Sequence, residues 1–127
     1  MSIEPENLIN LAEKLVNDGT EEVDFRCAVS RAYYAIYHVY KPLAEKLPPA
    51  STNGRTGMHQ ALIDRFLESS HNDDRSIGLK MKKFKEARTE ADYKLFTKFS
   101  QQKAKETIIK IEEMLKQFKK NLSESAR

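Results

Sequence analysis

The chain has 127 residues, of which 39% are hydrophobic and 32% are charged, and its formal net charge is +3. This length fits one domain, and the hydrophobic share is too high for a disordered chain. The single cysteine excludes an internal disulfide. No apolar run reaches the roughly 18 residues that suggest a membrane span. Because the start of the chain also has no secretory signal, we expect a cytoplasmic protein.

The first half of the chain predicts two helices. Helix one covers about residues 5–17, because Pro suits a first helical position and an Asp-Gly pair ends the pattern. Its apolar stripe consists of Leu8, Leu11, Ala12 and Leu15. Helix two begins after an N-cap at Thr20 and continues to about residues 40–45, where Pro42 kinks or ends its last turn.

The second half predicts a loop and three more helices. The loop covers residues 48–54, and helix three follows at about 57–68. Helix four covers about 76–92 after a polar turn at 70–75, and helix five starts near Ser100. The apolar seam of helix five consists of Ala104, Ile108, Ile111, Leu115, Phe118 and Leu122.

These patterns predict an all-α fold, a compact bundle of four to five helices in up-down order. We expect residues 1–122 to form a single helical domain and residues 123–127 to form a frayed tail. No repeat and no low-complexity segment interrupts the pattern.

Helix two carries two different faces on a helical wheel. The core face consists of Phe25, Ala28, Val29, Ala32, Ile36, Val39 and Leu43. The second face consists of Cys27, Arg31, Tyr34 and His38. A solvated face would carry Glu and Lys, so this composition predicts that helix two is covered on both sides. The second cover is either another helix or a second copy of the protein, since Tyr and Arg are enriched at interfaces.

Four of the five tyrosines fall within eight residues of helix two, at positions 33, 34, 37 and 40. We interpret them as flanking Arg31 and His38 rather than as a general aromatic core. From the residue types alone, a structural role for Arg31 and His38 is favoured over catalysis, because buried polar groups are often structural.

Charge is unevenly distributed along the chain. Residues 1–24 hold seven acidic residues and one Lys, whereas residues 75–120 hold fourteen Lys or Arg and six acidic residues. Such asymmetry favours a polyanionic partner. A solvated helical surface is the simpler interpretation.

Two runs of residues resemble one protein family. The run at 28–38 reads Ala-Val-Ser-Arg-Ala-Tyr-Tyr-Ala-Ile-Tyr-His and resembles the helix-two signature of HEPN domains, in particular a small stand-alone branch with a Ser-Arg-x-Tyr-Tyr-Ala core. The run at 88–93 is similar to that branch's Arg-x-x-Ala-Asp-Tyr. Arg55 and His59 lie where the branch often has a basic loop and the start of helix three.

The resemblance implies an α-helical bundle of HEPN type that forms a homodimer and cleaves RNA or binds a nucleotide. Such proteins often belong to toxin–antitoxin or phage-defence systems, so the implied partners are RNA or a nucleotide, a second copy, and an antitoxin or other defence-system protein. The sequence indicates no cofactor and no membrane partner, and it has no metal-ligand spacing and no Gly-rich phosphate loop.

The resemblance also implies site residues. Active HEPN ribonucleases resemble one another in carrying Arg, four to six residues, then His. Arg31 and His38 satisfy this spacing and form the predicted catalytic pair. Many active members carry the motif on a later helix, where this chain has Tyr in place of His. The predicted RNA- or nucleotide-binding residues are Tyr34, Arg88, Asp92, Tyr93, Arg55 and His59.

These residue types suit metal-independent RNA cleavage, in which the 2′-OH attacks the adjacent phosphorus. Histidine accepts or donates a proton near neutral pH, and arginine binds phosphate oxygens while remaining charged. Two other hypotheses stay open. One is a non-catalytic HEPN module that binds RNA, a nucleotide or a partner protein, and the other is a purely structural antitoxin or adaptor.

Overall fold

The structure is a computed structural model that describes residues 2–52 and 54–125. This part of the chain forms five helices and no strand. The helices are α1 (Pro5–Asp18), α2 (Glu22–Glu45), α3 (Met58–Leu67), α4 (Asn72–Tyr93) and α5 (Gln101–Ser125). Helix α2 contacts each of the other four, so it is the central element. The predicted all-α bundle is confirmed. Within the described ranges, no helix has the length and apolar character needed to span a bilayer.

The tyrosines of α2 correct one interpretation of the sequence. Tyr33, Tyr37 and Tyr40 are buried and belong to the hydrophobic core. These three tyrosines reach the core because several helices pack around α2. The buried surface of α2 is therefore wider than the single apolar face seen on a helical wheel. Tyr34 alone of the four is only partly buried. The centre of the predicted core face is confirmed, because Ala28, Val29, Ala32 and Ile36 are buried.

The second face of α2 is covered only in its middle. Arg31 and Tyr34 are half-buried, because Arg88 of α4 lies against the Tyr34 ring. Cys27 and His38, one turn beyond them at either end, are exposed. Another helix of the same chain therefore supplies part of the predicted second cover.

Two helix starts differ from the prediction for electrostatic reasons. The N-cap of α2 is Glu21 instead of Thr20, because the Asp24 carboxylate accepts hydrogen bonds from both backbone N–H groups at 3.1 Å. Helix α4 begins at Asn72 and includes part of the predicted polar turn. Acidic side chains at 73 and 74 favour that start, since they complement the positive end of the helix dipole.

The apolar stripes of the outer helices are shifted from their predicted positions. In α1 the buried residues are Ile9, Ala12 and Val16, and the predicted Leu11 is exposed. In α5 the seam is buried at Ala104, Ile108 and Ile111, joined by Met114, and becomes exposed at Leu122.

Helix α5 continues to Ser125, past the predicted domain end, and residues 126–127 of the predicted tail lie outside the described residues. Pro42 does not end α2, which continues to Glu45.

Arg26, in the second turn of α2, is 8% exposed and holds the end of α4. Its guanidinium donates hydrogen bonds to four backbone carbonyls, three of them at 2.9 to 3.2 Å. The acceptors are the carbonyls of Glu90, Ala91, Lys94 and Thr97. Because the last carbonyls of a helix have no partner within it, this single side chain stabilises both the end of α4 and the loop that follows.

Helices α1 and α5 enclose a groove of about 460 Å³, to which α2 contributes Val39. Glu112 of α5 and Glu13 of α1 share a hydrogen bond there. Burial, that hydrogen bond and the negative charge of Glu13 raise the pKa of Glu112 to about 7, against the opposing charge of Lys116. Glu112 therefore keeps its proton in weakly acidic solution.

Replacing Arg26 tests its role in joining α2 to α4. We expect Arg26→Met to lower the free energy of unfolding by about 3 kcal/mol, because several charge-assisted hydrogen bonds are lost and buried carbonyls remain unpaired. Urea unfolding followed by circular dichroism measures the change. The matched control is Arg55→Met, since Arg55 is exposed and its side chain bonds locally, to the Thr52 carbonyl at 3.1 Å. Equal losses in the two variants would contradict the role of Arg26.

The Glu112–Glu13 pair predicts a pH-dependent stability. Because the pKa of Glu112 is raised on folding, its stabilising contribution is present at low pH and is lost as the pH rises through about 7. We therefore expect Glu112→Gln, which stays neutral, to raise the melting temperature at pH 8 and to change it little at pH 5. Glu113→Gln, on the neighbouring exposed residue, serves as the control and should act alike at both pH values. A Glu112→Gln effect that is independent of pH would refute the raised pKa of Glu112.

Candidate active site

The two family-like runs of the sequence meet where the end of α4 lies on α2. Arg88, one turn before the end of α4, is only 7% exposed. Its guanidinium carbon lies 5.3 Å from the ring centroid of Tyr33, 5.9 Å from that of Tyr34 and 5.8 Å from that of Tyr93. Aromatic rings at these distances stabilise a cation through their quadrupoles. Three tyrosines therefore surround the Arg88 guanidinium.

The polar partners of Arg88 are few for a buried arginine. Its Nη1 lies 3.7 Å from Oδ2 of Asp92, one turn later on α4. Its Nε is buried and has no hydrogen-bond partner among the described residues. Buried donors are nearly always paired, so an unpaired one indicates a site that a ligand or solvent completes.

Arg31 joins the same cluster through a short chain of polar contacts. Its Nη2 donates to Oγ of Ser30 at 3.3 Å, and that hydroxyl donates to Oδ2 of Asp92 at 3.2 Å. The Arg31 guanidinium carbon also lies 5.3 Å from the centroid of the Tyr34 ring. Two guanidinium groups thus flank one tyrosine and are balanced by one carboxylate. The centre of the cluster carries an excess positive charge, which suits an anionic ligand.

His59 lies at the start of α3 and turns toward these tyrosines. Its Nδ1 is 3.0 Å from the Tyr33 hydroxyl, and its ring centroid is 4.4 Å from that of Tyr37. Burial lowers the pKa of His59, and the positive charges of Arg88, Lys85 and His38 lower it further. The imidazole is therefore held neutral at neutral pH. Burial also raises the pKa of Tyr33, so its hydroxyl keeps its proton.

His38 occupies the exposed edge of the cluster. Its ring centroid lies 5.5 Å from that of Tyr37, which also contacts His59, so both histidines contact the same tyrosine ring. Arg31 and His38 are two turns apart, which separates their backbone positions by about 10 Å along α2. The predicted pair thus belongs to one surface, with Arg31 at its polar end and His38 at its solvent edge.

The structure brings together most of the residues predicted for the site and separates one of them. Arg31, Tyr34, His59, Arg88, Asp92 and Tyr93 belong to the cluster, and His38 lies at its edge. Arg55 is exposed in the loop before α3, where its Nε donates to the carbonyl of Thr52. Its side chain has no hydrogen bond or cation–π contact with the cluster among the described residues, although it is only four residues from His59.

Three members of the cluster were not predicted as site residues. Ser30 bridges Arg31 to Asp92, Tyr33 contacts both Arg88 and His59, and Lys85 donates to the Gln60 side chain at 3.0 Å beside His59. The spacing of Ser30, Tyr33 and Tyr37 by three and four residues places them on one face of α2. That spacing was visible in the sequence, but a tyrosine at such a position fits the core equally well.

Comparison of the chain with protein-family models, with curated proteins and with solved structures gives no match. Among the described residues, no three His, Cys, Asp or Glu side chains are grouped so that they could hold a metal ion. A functional assignment therefore depends on the chemistry of the cluster itself.

The lowered pKa of His59 tests the geometry of the cluster. We expect Arg88→Leu to raise this pKa, because one of the positive charges is removed, and to leave it below 6.5, because burial is the larger cause. An NMR titration of the three histidines measures it. The control is Lys119→Leu, on the part of α5 that lines the groove beside α1. An unchanged His59 pKa in Arg88→Leu would show that the two side chains are not neighbours in solution.

Proposed function

We propose that this protein is a metal-independent endoribonuclease of HEPN type that cleaves RNA through attack of the 2′-OH on the adjacent phosphorus. The observation that supports the proposal best is the convergence of Arg31 and Arg88, from the two family-like runs, on the single ring of Tyr34. Neutral His59 and exposed His38 lie along the same surface. Phosphate-binding groups and proton-transfer groups are thus adjacent.

The roles follow from the state of each group. The guanidinium of Arg31 is half-buried and charged, so it can bind a phosphate and stabilise the charge that develops on it during attack. Arg88 adds positive potential from beneath the tyrosines. His59 is neutral because its pKa is lowered, so it is suited to accept the 2′ proton. His38, at the solvent edge, protonates the leaving 5′ oxygen. DNA lacks the 2′-OH and is not cleaved by this route.

The proposal includes a homodimer. The exposed ends of the second face of α2 carry His38 and Cys27, and nothing in the described chain covers them. A twofold contact across this face would bring a second Arg31 and His38 to the site, and self-complementary contacts of this kind are the commonest in homo-oligomers. A toxin or phage-defence role in the cytoplasm, with an antitoxin or another defence protein as partner, follows from the family resemblance and is part of the same proposal.

One observation favours a second candidate, a non-catalytic HEPN module that binds RNA or a nucleotide. On α4, four residues separate Arg88 from Tyr93, which stands where many active members of the family carry His. Arg88 is also held by Asp92 and by aromatic rings, which fits a binding residue better than a mobile catalytic one. A protein of this kind would bind the same ligand without cleaving it.

The proposal is tested by incubating the purified protein with unstructured RNA in excess EDTA. We expect cleavage that leaves a 2′,3′-cyclic phosphate, no cleavage of the matching DNA, and a rate lower by about 100-fold in His38→Ala, because a proton-transfer group is lost. The control is His71→Ala, at the exposed N-cap of α4. Equal rates in His38→Ala and wild type would reject the predicted catalytic pair of Arg31 and His38. Tight binding with no cleavage would favour the non-catalytic module.

A further inference from the structure

The segment from Tyr93 to Lys98 connects α4 to α5, and every one of its six residues is exposed. It contains three large apolar side chains: Tyr93 is 69% exposed, Leu95 is 68% exposed and Phe96 is completely exposed. Lys94 and Lys98 stand on either side of the Leu95–Phe96 pair. The nearby residues Ala91 and Phe99 are buried in the core, whereas these three apolar side chains point away from it and do not contribute to it.

The backbone of this segment is firmly held. Arg26 donates hydrogen bonds to the carbonyls of Lys94 and Thr97, and the Thr97 hydroxyl donates to the Lys94 carbonyl at 3.0 Å. The next anchor is Phe99, whose ring is buried and whose backbone N–H donates to the Glu22 carboxylate. The exposure of Phe96 is therefore imposed by a fixed backbone and is not a sign of a loose loop.

The segment is continuous with the candidate active site. Tyr93 belongs to both, since its ring covers the guanidinium of Arg88. Along the chain, Phe96 follows Tyr93 by three residues, and Lys94 and Lys98 stand on either side of Phe96. Alternating aromatic rings and lysines on a rigid support are the pattern that proteins use to hold single-stranded nucleic acid, because rings stack on bases and lysines follow the phosphates.

We propose that the segment 93–98 is a stacking platform for single-stranded RNA, on which Tyr93 and Phe96 stack against successive bases and Lys94 and Lys98 contact the adjoining phosphates. This inference rests on the proposed function and specifies its substrate as unpaired RNA. Bases inside a duplex are already stacked on each other, so paired RNA would offer the platform only its backbone.

The chain has no tryptophan, which makes a direct test available. Phe96→Trp introduces one fluorophore at the centre of the platform. The ligand is an unstructured 12-nucleotide RNA with 2′-O-methyl groups, which lacks the nucleophile and so reports binding without turnover. We expect saturable quenching of the Phe96→Trp emission by this strand and much weaker quenching by its duplex. The control, Leu79→Trp, lies on an exposed position of α4 roughly 20 Å before Tyr93 and should not respond.

Affinity gives the second measurement. We expect Phe96→Ala to weaken binding of the 2′-O-methyl strand about tenfold, the loss typical of one stacked base, and Leu79→Ala to leave it unchanged. Each of Lys94→Ala and Lys98→Ala should lower the slope of log affinity against log salt by about one.

The outcomes separate this inference from the proposed function. Binding that is weakened by Arg31→Ala but not by Phe96→Ala would overturn the platform and leave the active site standing. Binding that depends on Phe96, with natural RNA left uncut in EDTA, would support the platform and reject the ribonuclease. A Phe96→Trp probe that responds to anionic phosphatidylglycerol vesicles and not to RNA would overturn the platform in favour of a membrane surface.

Discussion

The contact between the Arg26 guanidinium and the carbonyls at the end of α4 sets the position of α4 along α2. Tyr33 meets Arg88 seven residues further along α2, so the two helices run antiparallel and their register is fixed at this end. The register brings Asp92 opposite Ser30. The same guanidinium fixes the loop after α4. One buried charge therefore positions both the candidate active site and the exposed segment beside it.

Packing and chemistry use the same side chains in this protein. Tyr33 is fully buried in the core, yet it supports the Arg88 guanidinium and bonds to His59. Arg88 is buried with one ion pair and three tyrosine rings around it, and its Nε has no hydrogen-bond partner among the described residues. Residues that break the rules of core composition in this way are expected where a function requires them. The proposed phosphate-binding role gives a reason for this arginine in addition to its contacts with the tyrosine rings.

The sequence predicted the helices well and their inner faces less well. Periodicity and caps located five helices, because those signals are local. The burial of Tyr33, Tyr37 and Tyr40 depends on how many helices surround α2, which a helical wheel cannot show. The family-like runs identified most of the cluster, since motif residues carry their own spacing. Arg26 and the role of Ser30 were missed, because contacts of 62 or more residues in sequence separation leave no local pattern.

We propose that Arg31 and Arg88 form one phosphate-binding site. The most direct test follows the side-chain Nε–Hε resonances of the arginines by NMR while a 2′-O-methyl dinucleotide is added. We expect the resonances of Arg31 and Arg88 to shift together and to give the same dissociation constant, while that of Arg65, which donates to carbonyls at the end of α2, stays in place. Binding that shifts the resonances of other arginines and leaves those of Arg31 and Arg88 unchanged would exclude a phosphate site at these two residues.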